Sequence, residues 1–174
     1  MKNIIIWSAF CLVSIFSTAQ GTSYGFTYGQ GVNENTNRSL TLEYNLFFEI
    51  NEKLYIGPYF AAGWTNFNLG SSKVNETILI GELAASARYY INETFKTHLN
   101  LGYSYPITNN EFNYDDGIHI QSVGLSIQSG VFAKLYLELD LDSFAIIAGP
   151  SFSFASPYNF TTFNLGFRFN NYLI

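Results

Sequence analysis

The sequence predicts an all-β protein, an up-and-down antiparallel barrel of eight strands that spans a membrane. Three observations predict it. Apolar and polar residues alternate with a period of two along most of the chain, as strands with two unlike faces require. Only 12% of the 174 residues are charged, against about 25% in an ordinary soluble domain, so a water-facing surface would be poorly solvated. Tight turns alternate with longer polar loops, the asymmetry of a barrel with one short-turned and one long-looped end. The net charge of -5 opposes contact with a phosphate backbone, and no nucleic-acid partner is expected.

The N-terminal stretch is read separately. Residues 1–19 hold Lys2, an apolar run from Ile4 to Phe16, and small residues at Ser17 and Ala19. That pattern is a secretory signal peptide cleaved after Ala19, which leaves 20–174 as one barrel domain. The run is shorter than the ~20 apolar residues of a spanning helix. Cys11 is the only cysteine, and Phe10 before it opposes lipoprotein processing. Disulfides, thiolate metal sites and cysteine nucleophiles are therefore excluded from the mature chain.

The first strand is Tyr24–Tyr28. In the second, Leu40, Leu42, Tyr44, Leu46, Phe48 and Ile50 form one face, and only Phe47 breaks the polarity of the other. A turn at 51–53 leads to the third strand, Leu54 to Trp64. The fourth and fifth strands, Leu79–Ile91 and Phe95–Tyr105, flank a turn at 92–94. The two hairpins share the text Ile-Asn-Glu at 50–52 and 91–93, which suggests a repeated up-and-down unit. A third hairpin is expected from Val123–Ile127, through a turn at 129–133, to Leu135–Leu141, and the last strand is Phe163–Phe169. Longer loops are expected at 30–37, 68–76, 107–116 and 143–158. Phe144 to Phe154 is apolar but contains Pro150 and follows a change of phase after Asp142, so it reads either as an extension of the seventh strand through a bulge or as an external hairpin.

Alternation alone fits a soluble barrel with an apolar interior as well as a membrane barrel with an apolar exterior. The scarcity of charge decides for the second. Aromatic residues near strand ends add to it, as two girdles at membrane interfaces. Phe47, Phe48, Tyr55, Tyr89, Tyr90, Phe95, Phe132, Tyr136, Phe167 and Phe169 are assigned to the tight-turn end. Trp64, Phe67, Tyr103 and Tyr105 are assigned to the loop end.

Several local patterns carry a resemblance. Tyr44-Asn45-Leu46-Phe47-Phe48 before Leu54-Tyr55-Ile56-Gly57, Arg88-Tyr89-Tyr90, Gly130-Val131-Phe132 before Leu135-Tyr136-Leu137-Glu138, and Leu165-Gly166-Phe167-Arg168-Phe169 resemble the small eight-stranded outer-membrane β-barrel (porin-like) family of Gram-negative bacteria. The resemblance spans the mature chain and implies an integral outer-membrane location, with membrane lipid and the barrel-insertion machinery as partners. The terminal aromatic read by that machinery would correspond to Phe169, although this chain continues through Asn170 to Ile174. Relatives of this shape include membrane stabilisers, adhesion or defence proteins and a few lipid-modifying enzymes.

The candidate site is the polar network expected on the lumen face: Glu43, Glu49, Glu82, Arg88, Lys96, His98, Glu138, Asp140 and Arg168. Eight strands leave an interior just wide enough for side chains to fill, so these groups are read as a salt-bridged plug. Arg88 and Arg168 are expected to neutralise carboxylates such as Glu82 and Glu138. A narrow ion or small-solute channel through the carboxylates is the rival reading. A lipid-modifying hydrolase is the other, and it would need a serine across the strands from His98 or His119. Two histidines without cysteine make a structural zinc site poor chemistry. Glu111, Asp115 and Asp116 lack the ligand ladder of a calcium loop and read as a solvated acidic loop. No cofactor is expected. The leading expectation is a non-enzymatic barrel whose external loops contact the surroundings or a partner.

Overall fold

The computed structural model describes residues 21–32, 36–68, 75–108, 111–115, 120–124, 128–142, 144–155 and 158–172. The segment expected to be a signal peptide, Asp116 and His119 lie outside them, and Glu111, Asp115 and Ser122 are described by backbone alone. Ten strands follow in order: β1 (Gly21–Gly31), β2 (Thr36–Asn51), β3 (Leu54–Asn68), β4 (Asn75–Tyr90), β5 (Phe95–Pro106), β6 (Glu111–Asp115), β7 (Ile120–Gly124), β8 (Gly130–Asp140), β9 (Ala145–Ala155) and β10 (Tyr158–Tyr172). Eight of them close into an antiparallel barrel in the order β1-β10-β9-β8-β5-β4-β3-β2, and β6 with β7 forms a separate hairpin.

The strand count matches the expectation, but the third hairpin does not. Gly130 to Asp140 is one strand, with Gly130, Phe132, Lys134, Tyr136 and Glu138 inward and Val131, Leu135 and Leu137 outward. The phase never changes at 129–133, so no turn lies there. The turn comes at 141–144, where the Leu141 amide donates to the Phe144 carbonyl at 2.8 Å and Asp142 takes a left-handed φ of 62°. Aspartate tolerates that conformation better than most residues. The phase change after Asp142 is therefore the turn itself. Phe144 to Phe154 is neither an extension of the preceding strand nor an external hairpin, since Ala145–Ala155 is a barrel strand in its own right. The expected sixth strand, Val123–Ile127, falls partly in β7, outside the barrel, and partly outside the described residues.

The other two tight turns share one geometry. Asn51 Oδ1 accepts the Lys53 and Leu54 amides at 3.0 and 2.9 Å, and Asn92 Oδ1 accepts the Thr94 and Phe95 amides at 2.9 and 2.7 Å. This is the physical content of the repeated Ile-Asn-Glu, because an asparagine side chain closes a turn on its own downstream backbone.

Pro58 and Pro150 sit inside strands, and each follows a glycine. At Gly57-Pro58 the β2–β3 register passes from Asn45↔Tyr59 to Phe48↔Ile56 and skips Leu46 and Phe47. At Gly149-Pro150 the β8–β9 register passes from Lys134↔Ser151 to Leu137↔Ala148 and skips Leu135 and Tyr136. Proline has no amide hydrogen to give to a ladder. The glycine beside it admits the facing carbonyl, for a Cβ there would stand 1.9 Å from the Leu46 oxygen at Gly57 and 1.9 Å from the Leu135 oxygen at Gly149.

The barrel faces outward with its apolar side. Leu42, Leu83, Leu101, Leu137 and Leu165 are all more than half exposed, while Glu43, His98, Glu138 and Arg168 are buried. Among the described residues, the only charge on an outward row of the barrel strands is Arg38, at the loop end of β2. Water solvates such a surface badly, and hydrocarbon solvates it well. Tyr24, Tyr89, Phe95, Phe167 and Phe169 are exposed toward the tight-turn end, and Trp64, Tyr103, Tyr105, Phe154 and Phe163 toward the other. Three residues assigned to the girdle are inside instead: Phe47, Phe132 and Tyr136 are 2%, 3% and 0% exposed. Phe132 also lies toward the loop end of β8, since it pairs with Gly102 and Ser153. Tyr55 and Tyr90 take the inward rows at the tight-turn mouth, with ring centroids 5.1 Å apart.

Candidate functional site: the charged interior

Strand parity places the interior groups. On β2 the odd residues turn inward, bringing Glu43, and on β4, β5, β8 and β10 the even residues do so, bringing Arg88, Lys96, His98, Glu138 and Arg168. Because the strands of a closed sheet are inclined to the barrel axis, residues far apart in sequence meet across the lumen.

Arg168 is the junction. It is 0% exposed. Its Nη1 donates to Glu138 Oε2 at 2.9 Å and its Nη2 to Glu43 Oε2 at 3.0 Å. Toward the tight-turn end, Arg88 bonds the other oxygen of Glu138 and Asn170 Oδ1, the latter at 2.7 Å, with its guanidinium 4.9 Å from the Phe47 ring centroid. Phe47, the residue that broke the polar face of its strand, is thus a platform for a buried cation. Lys96 bonds Asp140 and sits 4.6 Å from the Tyr90 ring centroid. Toward the loop end, Lys134 donates to Glu82 at 2.5 Å and to the Tyr59 hydroxyl at 2.9 Å, while Tyr136 donates to Glu43 at 3.1 Å.

The ion pairs join four cations, Arg88, Lys96, Lys134 and Arg168, to four carboxylates, Glu43, Glu82, Glu138 and Asp140. Among the described residues, the paired charges of the interior are thereby neutral in sum. Each charge in a low-dielectric site has an opposite partner, as burial demands.

The structure brings together eight of the nine residues expected in the network and leaves one out. Glu49 is exposed at the tight-turn rim, where its partner is the Tyr55 hydroxyl. It has the correct parity but lies beyond the buried layers. The pairing also differs from expectation. Arg168 does meet Glu138, but Arg88 meets Glu138 rather than Glu82, and Glu82 is taken by Lys134. The sequence reading missed Lys134 because it placed a turn at 129–133. The signal was present, as Lys134 shares its row with Tyr136, Glu138 and Asp140. Tyr59, on the face of its strand opposite Ile56, Pro58 and Phe60, was missed as well.

A serine does reach a histidine. Ser86 Oγ is hydrogen-bonded to His98 Nε2, and Arg168 Nη1 to His98 Nδ1. A guanidinium only donates, so Nδ1 accepts and Nε2 carries the proton toward Ser86. A hydrolytic triad needs the reverse, with Nε2 accepting from the serine and Nδ1 donating to an acid. Among the described residues no group of three or more potential metal ligands is close enough to hold an ion.

No protein-family model matches the sequence, and no characterised protein matches it in sequence. Solved structures do match in shape. Ail, the attachment invasion locus protein of Yersinia pestis, solved with the heparin analogue sucrose octasulfate, is 19% identical with a TM-score of 0.60, over 87% of this chain and 98% of that one. The N-terminal β-barrel domain of Pseudomonas aeruginosa OprF is 10% identical with a TM-score of 0.60, over 88% and 98%. The outer-membrane enzyme PagL is 9% identical with a TM-score of 0.50, over 84% and 98%. The chain has the fold of the small eight-stranded outer-membrane β-barrel proteins.

Proposed function

We propose that this chain is an integral outer-membrane barrel that neither catalyses nor conducts, whose interior is a solid polar plug and whose external loops make its contacts. The observation that carries this reading is the Arg168 junction, which ties β2, β5, β8 and β10 across the lumen through Glu43, His98 and Glu138. A bore would have to run through those bonds. A hydrolase would need Ser86 and His98 at the membrane rim with the opposite imidazole polarity; both are buried, and Arg168 holds the wrong nitrogen. The likeness to PagL is one of fold and brings no active site with it.

The partners follow from the two surfaces. Membrane lipid covers the outward belt, and the insertion machinery would read Phe169, whose ring stacks on Tyr24 at 5.5 Å between centroids. The loops carry Glu34, Glu111, Asp115 and Asp116 against Lys73. Ail was solved with a polyanion, but loops of this charge suit a cationic or uncharged partner instead.

Planar-bilayer recording combined with unfolding in detergent tests the plug. Wild type is expected to give no steady conductance, and Arg88→Ala to lose about 3 kcal/mol, the lower end for a broken buried pair, because Glu138 keeps Arg168 as its partner. Steady wild-type conductance with an unchanged unfolding midpoint in the variant would overturn the plug in favour of the channel.

A further inference from the structure

Two depressions lie one above the other on a single side of the barrel. The first, about 510 Å³, is a trough in the lipid-facing belt between β3, β4 and β5. The register defines its shape. Ile56, Ala87 and Leu99 form one rung across the three strands, and Pro58, Ala85 and Leu101 form the next. On the middle strand the rungs on either side carry Tyr89 and Leu83, 45% and 52% exposed. The middle strand therefore drops to methyl groups for two rungs only, between two large side chains.

The second depression, about 720 Å³, lies at the rim beneath, between the β2–β3 and β4–β5 turns, with Glu52, Lys53, Asn92, Glu93 and Thr94 in its wall. Both volumes fall in the range of small-molecule sites, roughly 300 to 1,000 Å³. The two depressions share no lining residue, and one rung, Leu54 with Tyr89, stands between them. The Lys53 carbonyl accepts the Tyr90 amide at 2.8 Å, and Ile56 lies three residues further along, about 10 Å at strand rise. A headgroup layer is about 5 to 8 Å deep, so that step leads from headgroup depth into hydrocarbon. Tyr89 and Phe95, both exposed at this level, are of the residue types that mark a membrane interface.

We propose that the two depressions together seat one phospholipid with a primary-amine headgroup, from the leaflet at the tight-turn end. An acyl chain fills the trough over Ala85 and Ala87. The phosphate lies at the Lys53 ammonium, and the headgroup amine at the carboxylates of Glu52 and Glu93. Acyl chains cover the belt everywhere. What singles out this place is an apolar trough directly above a rim that presents both signs of charge, the complement of a zwitterionic headgroup.

The test is lipid retention by the full chain. The protein is placed in nanodiscs of equal phosphatidylethanolamine, phosphatidylcholine and phosphatidylglycerol, released into mild detergent, and weighed intact by native mass spectrometry. One phosphatidylethanolamine is expected to stay bound. Phosphatidylcholine, whose amine has no hydrogen to donate, and phosphatidylglycerol, which has no amine, are expected to be retained roughly tenfold less. Ala85→Phe with Ala87→Phe is expected to abolish retention while the variant keeps its heat-sensitive gel migration, which reports a closed barrel. Glu52→Lys with Glu93→Lys is expected to turn the preference toward phosphatidylglycerol. Equal retention of all three lipids by the wild type, or full retention by the double phenylalanine variant, would overturn the proposal. So would efficient disulfide dimerisation of Ala87→Cys in the membrane, which would assign the trough to a second copy of the chain.

Discussion

Arg168 concentrates the energetics of the interior in one side chain, because its planar fork serves Glu43, Glu138 and His98 at once. Arg168→Met would leave Glu43 with Lys134 at 3.8 Å and Glu138 with Arg88. The expected loss is therefore near the lower end of what a broken buried pair costs, about 3 kcal/mol, read as a fall in the urea midpoint in detergent. Arg168→Lys should recover little, since a single ammonium cannot reproduce the fork. An unchanged midpoint for the methionine variant would show that the network contributes nothing to stability. At this scale, which residues face the lumen was largely legible in the sequence. Each of Glu43, Arg88, Glu138 and Arg168 sits between apolar neighbours on a row of period two, and His98 stands on such a row between Thr97 and Leu99. Which charge meets which was not legible, because it is set by the inclination of the strands. That inclination carries Arg88 on β4 across to Glu138 on β8, past Glu82 on its own strand.

The strands themselves were read correctly where an asparagine turn signal stood between two apolar rows of the same parity, as at Asn51 and Asn92. The third hairpin failed because Ser129-Gly130 resembles a turn while the alternation runs through Gly130 unbroken, and because Pro150 in a barrel strand argues against that strand. Neither feature could be resolved without knowing that the β8–β9 ladder gives way at Leu135 and Tyr136. The corrected order still puts the turns at 51–53, 92–94 and 141–144 at one end, and the segment from 107 to 129, with the β6–β7 hairpin, at the other. An epitope inserted at Asn113 is thus expected to bind antibody on intact cells, and one at Glu93 only after permeabilisation. The opposite labelling would invert the barrel in the membrane.

For the molecule as a whole, the decisive quantity was the charge count. Eight charged side chains are drawn into the ion pairs of the interior, and Arg38 alone stands on the outward rows described. A chain so poor in charge has none left for a water-facing wall, which is why orientation was legible before any coordinate. The aromatic argument was weaker. Phe47, Phe132 and Tyr136 are interior packing, and residue type alone does not tell a girdle ring from a lumen ring.

The two Gly-Pro steps have a mechanical consequence. The seams they interrupt, β2/β3 and β8/β9, stand diametrically opposite in the ring and divide it into two panels of four strands each. A hoop notched at two opposite points bends there first. The softest deformation of this wall is then an oscillation between round and oval, with the intact seams moving as plates and the Arg168 fork as a cross-brace. Hydrogen exchange in nanodiscs would report it. Amides at Leu46, Phe47, Leu135 and Tyr136 should exchange faster than those of Ala85 and Leu101 on the unbroken β4/β5 seam. Pro58→Ala, which returns a ladder donor, should slow exchange at Leu46 and Phe47 and leave Leu135 and Tyr136 as they were. Uniform protection around the ring would mean that the notches do not act as hinges.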